Sequence, residues 1–463
     1  MPTSSGASAS RRDRRNPARS SRCVTAPIQV PAFAARPGGT HTSITAHLYQ
    51  VKARTHAEHM TTSHGSHVAA AHTSGTTKKP RWGRPVAVLA VGSFAMGTDS
   101  FVLAGILPQI SHGLSVSAGA AGQVITTFAL VYGLTAPLLA AFTARLPRKP
   151  LMACALTLFI LANLASAIAP TLALLLTARI AAGLGAALFT PNASAAAAAL
   201  AGPLRRGQAL AVILGGLTVG TVLGVPVGTA IGQQVSWRAS LVFVAATGVV
   251  ALVGLMATLP RLPMPPTVPL AARFGVMARG RVLTIVAFMM LASASSIMVY
   301  TYIAEVLGQT AHTTGAALAV ALLVWGVGGV VGSFGSGWLA DRWGAEPTLW
   351  LASAMLALTL AAFPITYSTA MATVVMALNG AAAWAVATPN NHRLTALAPD
   401  LASVVISFNS SALYLGQALG AGLGGLLLTH GAGARLLCLA AAALAVLACA
   451  LHLLIGRPAP APA

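Results

Sequence analysis

Long apolar stretches follow one another along most of the chain after residue 84, separated by short polar connections. Each stretch reaches the length of about 18 residues or more that a helix needs to cross a hydrocarbon core about 30 Å thick. Because lipid offers no partners to free backbone groups, and the stretches are too long for barrel strands, they must be helices. The pattern therefore predicts an all-α membrane protein with twelve transmembrane helices. The predicted spans are 85–108, 121–144, 150–169, 172–200, 208–232, 238–259, 281–305, 315–340, 347–366, 370–392, 402–428 and 432–455.

The spacing of these stretches predicts five regions. Residues 1–84 lack apolar periodicity, and we interpret them as a disordered basic tail. A bundle of six helices over 85–259 is followed by a proline-rich linker over 260–280, a second bundle of six over 281–456 and a short tail over 457–463. The histidines of the first tail are irregularly spaced, so no metal site is predicted.

An internal repeat supports the division into two halves. The connection after the second span, Ala144 to Lys149, corresponds to Asp341 to Gly344 after the eighth span. Thr190-Pro191-Asn192 likewise corresponds to Thr388-Pro389-Asn390. Glycine ladders recur as well, in the fifth span and in the eleventh. All three features repeat in the same order, which indicates two parallel copies with a binding site between them near the midplane.

Composition and charge fit a membrane protein. Hydrophobic residues make up 56% of the chain and charged residues only 8%, whereas a soluble protein carries about 25% charged residues. The net charge of +21 comes largely from the tail, and the other cations lie between apolar stretches, so nucleic-acid binding is not expected. Cations concentrate in the connections after even-numbered spans, which predicts that both termini lie in the cytoplasm, and we expect the chain in the plasma (inner) membrane. Those cations are Arg145, Arg148, Lys149, Arg205, Arg206, Arg261, Arg273, Arg279, Arg281, Arg342 and Arg393.

Two ionisable residues lie well inside predicted spans, where a charge is costly unless it has a partner or a function. Asp99 is expected to exchange a proton between the two sides of the membrane; the alternatives are an ion-paired structural acid and an exposed residue at a helix end. Arg179 keeps its proton at working pH and is expected to influence a nearby carboxylate. Its alternative is a cation that extends to the membrane surface or that bonds to backbone carbonyls.

Four segments resemble the twelve-span drug:proton antiporters of the major facilitator superfamily, and chloramphenicol exporters and arabinose-efflux-like permeases most of all. The first is Gly97 to Pro108, and the second is the loop motif GxLADRxG at Gly337 to Gly344. The third is the pattern RxxxGxG at Arg179, and the fourth is the antiporter motif of the fifth span. The acid of the first span stands one residue earlier than is usual in that group, and the loop after the second span lacks the motif's acid.

The resemblance implies roles for three sets of residues. Proton coupling falls to Asp99 and Arg179. Residues in and beside the loop motif are expected to act as a conformational latch; the alternative for Asp341 and Arg342 is an ordinary solvated loop pair. The residues concerned are Gly337, Asp341, Arg342 and Gly344, with Arg145 and Arg148 in the other half. The fifth-span motif is expected to form a moving helix interface: Gly220, Gly224, Pro226 and Gly228.

The function that follows is export of a small, largely apolar compound, such as a chloramphenicol-type antibiotic, in exchange for protons. We expect no cofactor, no nucleic acid and no catalytic residue, and a monomer whose partners are its substrate and the lipid bilayer. The alternatives are efflux of a sugar or nucleoside, a membrane sensor without transport, and a membrane-embedded enzyme, for which no motif is present. Aromatic and polar residues at suitable depth form the predicted substrate cavity. They are Phe128, Tyr132, Asn163, Tyr300, Tyr302, Trp325, Trp384, Asn409 and Gln417.

Overall fold

The computed structural model of the chain describes residues 82–143, 145–260, 262, 275, 280–398 and 401–455. Within these residues the fold is helical, and twelve helices are long and apolar enough to cross a membrane. This confirms the predicted fold class. The predicted tail over 1–84 lies outside the described residues except for 82–84, as do the tail over 457–463 and most of the linker over 260–280.

The twelve spans match the apolar stretches to within a few residues at most ends. Spans 1 to 6 are Gly83–Gly105, Ala118–Phe142, Arg148–Ile168, Leu172–Ala201, Arg206–Gln234 and Trp237–Thr258. Spans 7 to 12 are Gly280–Thr301, Gly315–Trp343, Ala345–Ile365, Thr369–Leu397, Ala402–Thr429 and Ala434–Ile455.

In three spans the helix is interrupted although the apolar sequence pattern continues through the interruption. Span 1 turns at Ile106 and continues as the short helix Leu107–Gly113, and span 7 turns at Tyr302 and continues as Ile303–Ala311. The two turns stand at equivalent positions of the sequence repeat. Span 10 has a turn at Val386, three residues before Pro389. The predicted ends of spans 1 and 7 therefore lie beyond the turns, in separate short helices.

The two membrane faces of the bundle differ in how helices begin there. We name the face at which span 1 begins the proximal face and the opposite one the distal face. Four spans that begin distally have a Ser or Thr whose side chain accepts a hydrogen bond from the first turn. Such caps satisfy backbone donors that the first turn of a helix leaves free. The four capping residues are Ser117, Thr171, Ser236 and Ser368.

Glycine ladders bring spans 1 and 5 into close contact. A Cβ atom added at Gly216 or Gly220 would come within 3.0 Å of the backbone of Ala90 or Phe94. Spans 7 and 11 repeat this arrangement, since Gly416 and Gly420 face the backbone of span 7 in the same way. Without a hydrophobic driving force between helices in lipid, such small residues allow the close packing that holds helices together.

The closest helix contacts between the first six spans and the last six that glycines allow involve two pairs of spans. Spans 2 and 11 approach closely at the distal end, where Gly119 faces the backbone of Gly425. They meet again near the middle, where Gly133 faces Leu415. Spans 5 and 8 meet where Gly326 contacts Val222. The candidate site is formed by residues in the middle parts of these spans and of the spans packed against them.

Candidate functional site

A buried ion pair joins Asp99 of span 1 to Arg179 of span 4. Both side chains have no exposed surface, and two hydrogen bonds connect them. Arg179 Nη2 lies 2.5 Å from Asp99 Oδ2, and Nη1 lies 3.0 Å from Oδ1. This fork-to-fork geometry is the strongest that an arginine makes with a carboxylate. The structure therefore excludes an exposed Asp99 at a helix end and an Arg179 that extends to the membrane surface.

The remaining contacts of Arg179 come from spans 2 and 3. Asn163 accepts a hydrogen bond from Nη1 at 3.2 Å, and its own amide is held by the Phe159 carbonyl at 3.0 Å. The guanidinium carbon lies 4.8 Å from the centre of the Phe128 ring, a cation–π contact. The Nε atom of Arg179 is buried without a hydrogen-bond partner. Asn163 and Phe128, predicted as cavity residues, thus belong to the immediate surroundings of the ion pair.

A widened turn of span 5 packs beside the ion pair. Residues Gly220–Gly224 form a π-helical turn in which the Val225 amide donates to the Gly220 carbonyl. Pro226 follows directly and has no amide hydrogen to donate, which explains why the regular pattern fails here. Thr98, the neighbour of Asp99, places its hydroxyl 3.2 Å from the Gly220 carbonyl. Span 1 is therefore fixed against the antiporter motif one residue before the carboxylate.

Four aromatic rings form a cluster between the two halves, near the ion pair. Phe101 of span 1 contacts Tyr300, Trp325 and Trp384, with centroid distances of 5.6, 5.8 and 6.2 Å. Trp325 is held in place by a hydrogen bond of 3.1 Å from its indole Nε1 to Asn379. Tyr300, Trp325 and Trp384 were predicted as cavity residues, and the structure places all three together. Apolar rings with few polar partners suit a largely apolar ligand.

A second aromatic contact between the halves is a stacked pair, Tyr132 of span 2 and Tyr414 of span 11. Their ring centroids are 3.7 Å apart and the planes are inclined by 28°. Tyr132 also lies 6.4 Å from Phe128, the ring beneath Arg179. The predicted cavity residue Tyr132 is therefore part of the contact between spans 2 and 11, which we name the seam between the halves.

The three remaining predicted cavity residues are Tyr302, Asn409 and Gln417. Tyr302 forms the turn of span 7, donates a hydrogen bond of 2.8 Å to the Ala421 carbonyl and packs against Gly122. Asn409 accepts from Asn390 at 2.8 Å within the second half. Gln417 is buried in span 11. For Tyr302 and Asn409 these contacts are structural.

The loop motif after span 8 forms a sharp turn without the predicted latch contact. Gly344 has a φ of +92°, which favours glycine, and lets span 9 begin at once. Asp341 is exposed, and no hydrogen bond or ion pair of its side chain occurs among the described residues. Arg342 lies over the Trp338 ring at 5.6 Å, and Gly337 faces Thr388. The expected contact of Asp341 with a neighbouring helix is thus absent from this structure, since the turn leaves the carboxylate in solvent.

The corresponding loop of the first half is partly described. Arg145 is exposed, and Arg148 is half-buried with its Nη1 atom lacking a hydrogen-bond partner. Lys149 donates to the Met256 carbonyl at 2.9 Å, which connects the beginning of span 3 to the end of span 6. The antiporter-motif residues lie against span 1, where Gly224 faces Thr98 and Gly228 faces Val102.

A second ionic cluster, which the sequence did not predict, joins spans 9, 10 and 12 at the proximal face. Arg393 Nε lies 2.8 Å from Glu346 Oε1, and its Nη1 lies 2.9 Å from His452 Nδ1. His452 Nε2 lies 3.3 Å from Glu346 Oε2. The prediction that Arg393 is a loop cation is wrong, because span 10 continues to Leu397 and buries its side chain.

Sequence reasoning also missed Phe101 of the ring cluster and Tyr414 of the stacked pair between the halves. Phe101 stands two residues after Asp99, and Tyr414 stands three residues before Gln417 on the same helix. Only the spacing of Tyr414 from the predicted cavity residue Gln417 was an available signal, since residues three apart share a helix face and residues two apart do not.

Comparisons with known proteins identify the family. The sequence model of the Major Facilitator Superfamily matches residues 89–421 and 283–463 of this chain. The inner membrane transport protein YdhP of Escherichia coli O157:H7 is 32% identical over 377 residues, which are 81% of this chain and 97% of YdhP. A chloramphenicol resistance protein of Streptomyces lividans is 34% identical over 286 residues, 59% of this chain and 73% of that protein.

A solved structure supports the fold. The crystal structure of the nucleoside transporter NupG superposes with a TM-score of 0.69 at 11% identity, covering 81% of this chain and 100% of the NupG chain. An identity this low supports the architecture alone. Together with the family match and the identity to YdhP over nearly its whole length, it leads to one conclusion: the chain belongs to the major facilitator superfamily and is a multi-pass membrane transporter.

Proposed function

We propose that this transporter exports a small, largely apolar organic compound in exchange for protons, with Asp99 as the proton-binding group. The observation that carries the proposal is the buried Asp99–Arg179 pair beside the contact between the halves. Burial of two charges costs more than an isolated pair of this kind usually returns in stability. A functional role accounts for a charged pair at this place.

The chemistry of the pair suits proton exchange. Arg179 keeps its charge throughout, so Asp99 is the group that binds and releases the proton. When Asp99 is charged, both of its oxygens accept from the guanidinium. A proton on the carboxylate removes that attraction and leaves Arg179 with Asn163 and the Phe128 ring. The two protonation states therefore favour different arrangements of spans 1 and 4, which is what alternating access requires.

The aromatic cluster favours an apolar substrate over a sugar or nucleoside. Its rings offer apolar faces, and the Trp325 indole is already bonded to Asn379. A site for a sugar needs several free hydrogen-bonding groups, because each buried hydroxyl without a partner reduces affinity. The similarity to a chloramphenicol resistance protein supports the same choice.

Orientation, assembly and coupling ion complete the proposal. We place the proximal face in the cytoplasm of a plasma membrane, because the connections at that face carry most of the cations between spans. The transporter acts as a monomer, takes the proton as its coupling ion and needs no cofactor. Labelling of single cysteines introduced at Arg145 and at Ser115 from either side of intact cells tests the orientation.

The decisive experiment measures transport in proteoliposomes. A pH gradient is imposed across the membrane, and movement of radiolabelled chloramphenicol and of a panel of apolar drugs is followed with and without a protonophore. We expect gradient-driven accumulation by the wild-type protein, none after addition of the protonophore, and none by Asp99→Asn. Glu305→Gln is the matched control, since Glu305 bonds to Gln309 on the distal side, apart from the pair.

Unchanged gradient-driven transport by Asp99→Asn would reject Asp99 as the proton-binding group. Accumulation of labelled nucleosides or sugars, with no movement of the apolar panel, would replace the proposed substrate class.

A further inference from the structure

The stacked pair Tyr132–Tyr414 is a direct side-chain contact between the two halves at the level of the ion pair. Its centroid distance of 3.7 Å is short for two rings. Gly133 makes the approach possible, because a Cβ atom there would come within 3.0 Å of Leu415, the neighbour of Tyr414. A glycine beside one ring thus brings spans 2 and 11 close enough for the rings to stack.

Each ring of the stack is connected to one member of the ion pair. Tyr132 lies 6.4 Å from Phe128, whose face holds the Arg179 guanidinium. Tyr414 belongs to the other half, but its hydroxyl group interacts with Ser100 and with Tyr132 and lies within electrostatic range of Asp99. The Ser100 hydroxyl is oriented by a hydrogen bond of 2.8 Å to the Met96 carbonyl. The stack is therefore linked to Arg179 through the Phe128 ring and to Asp99 through its neighbour Ser100.

The stack also lies at a special place along spans 2 and 11. The close glycine contacts between these spans begin at the distal end with Gly119 and extend to Gly133 in the middle. Tyr132 and Tyr414 are adjacent to the last of these contacts. A change at this point alters how far the seam between the halves extends.

We propose that Tyr132 and Tyr414 are the positioning residues through which the protonation state of Asp99 acts on the contact between the two halves. The inference rests on the proposed function, since it assumes that Asp99 binds the exchanged proton. While Asp99 is charged, it holds span 1 to Arg179 through two hydrogen bonds, and the Tyr414 hydroxyl interacts with Ser100, the neighbour of Asp99. Binding of a proton to an Asp99 oxygen releases span 1 from Arg179, which stays with the Phe128 ring, and the stack separates. Release of that proton on the other side restores it.

The test separates coupling from transport itself. Tyr414→Phe and Tyr132→Phe keep both rings and remove one hydroxyl each. Proteoliposomes are loaded with radiolabelled chloramphenicol, and its downhill efflux is measured without a pH gradient and with one. For the wild type we expect at least a tenfold acceleration by the gradient. For Tyr414→Phe we expect downhill efflux within about twofold of the wild type and loss of most of the acceleration.

A conformational measurement accompanies the flux. Spin labels are attached at Leu134 of span 2 and Ile406 of span 11, which are both partly exposed. Double electron–electron resonance spectroscopy then measures the distance between the two spans. In the wild type we expect the distance distribution to change between pH 5 and pH 8. In Tyr414→Phe we expect one distribution at both pH values. Tyr367→Phe is the control, because Tyr367 is 81% exposed and lies apart from the seam.

The outcomes distinguish the two proposals. A wild type without acceleration by the gradient overturns the proposed function and this inference with it. A wild type with acceleration, together with Tyr-to-Phe variants that keep both the acceleration and the pH-dependent distances, overturns the inference alone. Equal loss of downhill and gradient-driven flux in the variants indicates a structural role and also overturns it. Loss of the acceleration with preserved downhill flux supports the inference.

Discussion

Neutralising one member of the Asp99–Arg179 pair should destabilise the protein far more than neutralising both. In Asp99→Asn, the amide nitrogen replaces one of the two oxygens that accept from the guanidinium. Arg179 then remains charged with no exposed surface. In Arg179→Gln, the carboxylate is left buried without its cation. The double variant removes both charges and keeps an amide at each position.

The expected magnitudes follow from the burial of the pair. Breaking a fully buried ion pair by removing one partner costs about 3–5 kcal/mol, so each single variant should lose that much of the free energy of unfolding. The double variant leaves no charge in the interior and loses about 1–2 kcal/mol, the net worth of the hydrogen bonds. The two single effects together then exceed the double effect by about 4 kcal/mol or more, which is the coupling energy.

The assay is equilibrium unfolding in mixed micelles, with tryptophan fluorescence as the readout and denaturing detergent as the variable. All four proteins are compared at pH 8. Glu305→Gln serves as the control, for which we expect a change of about 0.5 kcal/mol or less, because its carboxylate is partly exposed. Single effects that add up to the double effect within about 0.5 kcal/mol would show that the two charges do not depend on each other. That result would reject the description of Asp99 and Arg179 as an energetically coupled ion pair.

Three further expectations concern other contacts. Gly220→Val should reduce transport at least tenfold and lower the unfolding midpoint, because its Cβ meets the backbone of span 1; Gly215→Val on the same helix has open space and should behave like the wild type in both assays. Trp325→Phe should weaken chloramphenicol binding several-fold in a scintillation proximity assay. The free energy of unfolding should fall by no more than about 1 kcal/mol, the value of one lost hydrogen bond. An unchanged affinity would show that the aromatic cluster does not bind the substrate. Glu346→Gln should destabilise the second half by about 1–3 kcal/mol through the loss of the carboxylate beside buried Arg393, and a midpoint equal to that of the wild type would contradict this.

The sequence predicts the twelve spans well because crossing a bilayer imposes a length and a composition on each of them. It predicts the interruptions poorly. The turns at Ile106, Tyr302 and Val386 lie within apolar runs, and the π-helical turn of span 5 depends on both Pro226 and the packing of span 1. Such local departures from regular helix are decided by tertiary contacts that hydropathy does not contain.

The candidate site is predictable in part. Asp99 and Arg179 stand out because a charge inside a span is rare, but their pairing depends on the mutual rotation of spans 1 and 4. Residue type and depth do not specify a helix face, so Tyr302 was assigned to the cavity although it closes a turn. Tyr414 was omitted although its ring stacks on Tyr132 between the halves. The pairing is visible only when both helices are placed.

The location of the ion pair has a consequence for how this protein can diversify. Asp99, Asn163 and Arg179 all come from the first six helices, whereas three of the four clustered rings come from the last six. Substitutions at Tyr300 or Trp384 can reshape the ring surface without adding or removing a charge beside the carboxylate. The ring surface of the second half can therefore change, in evolution or by design, while the ion pair of the first half stays the same.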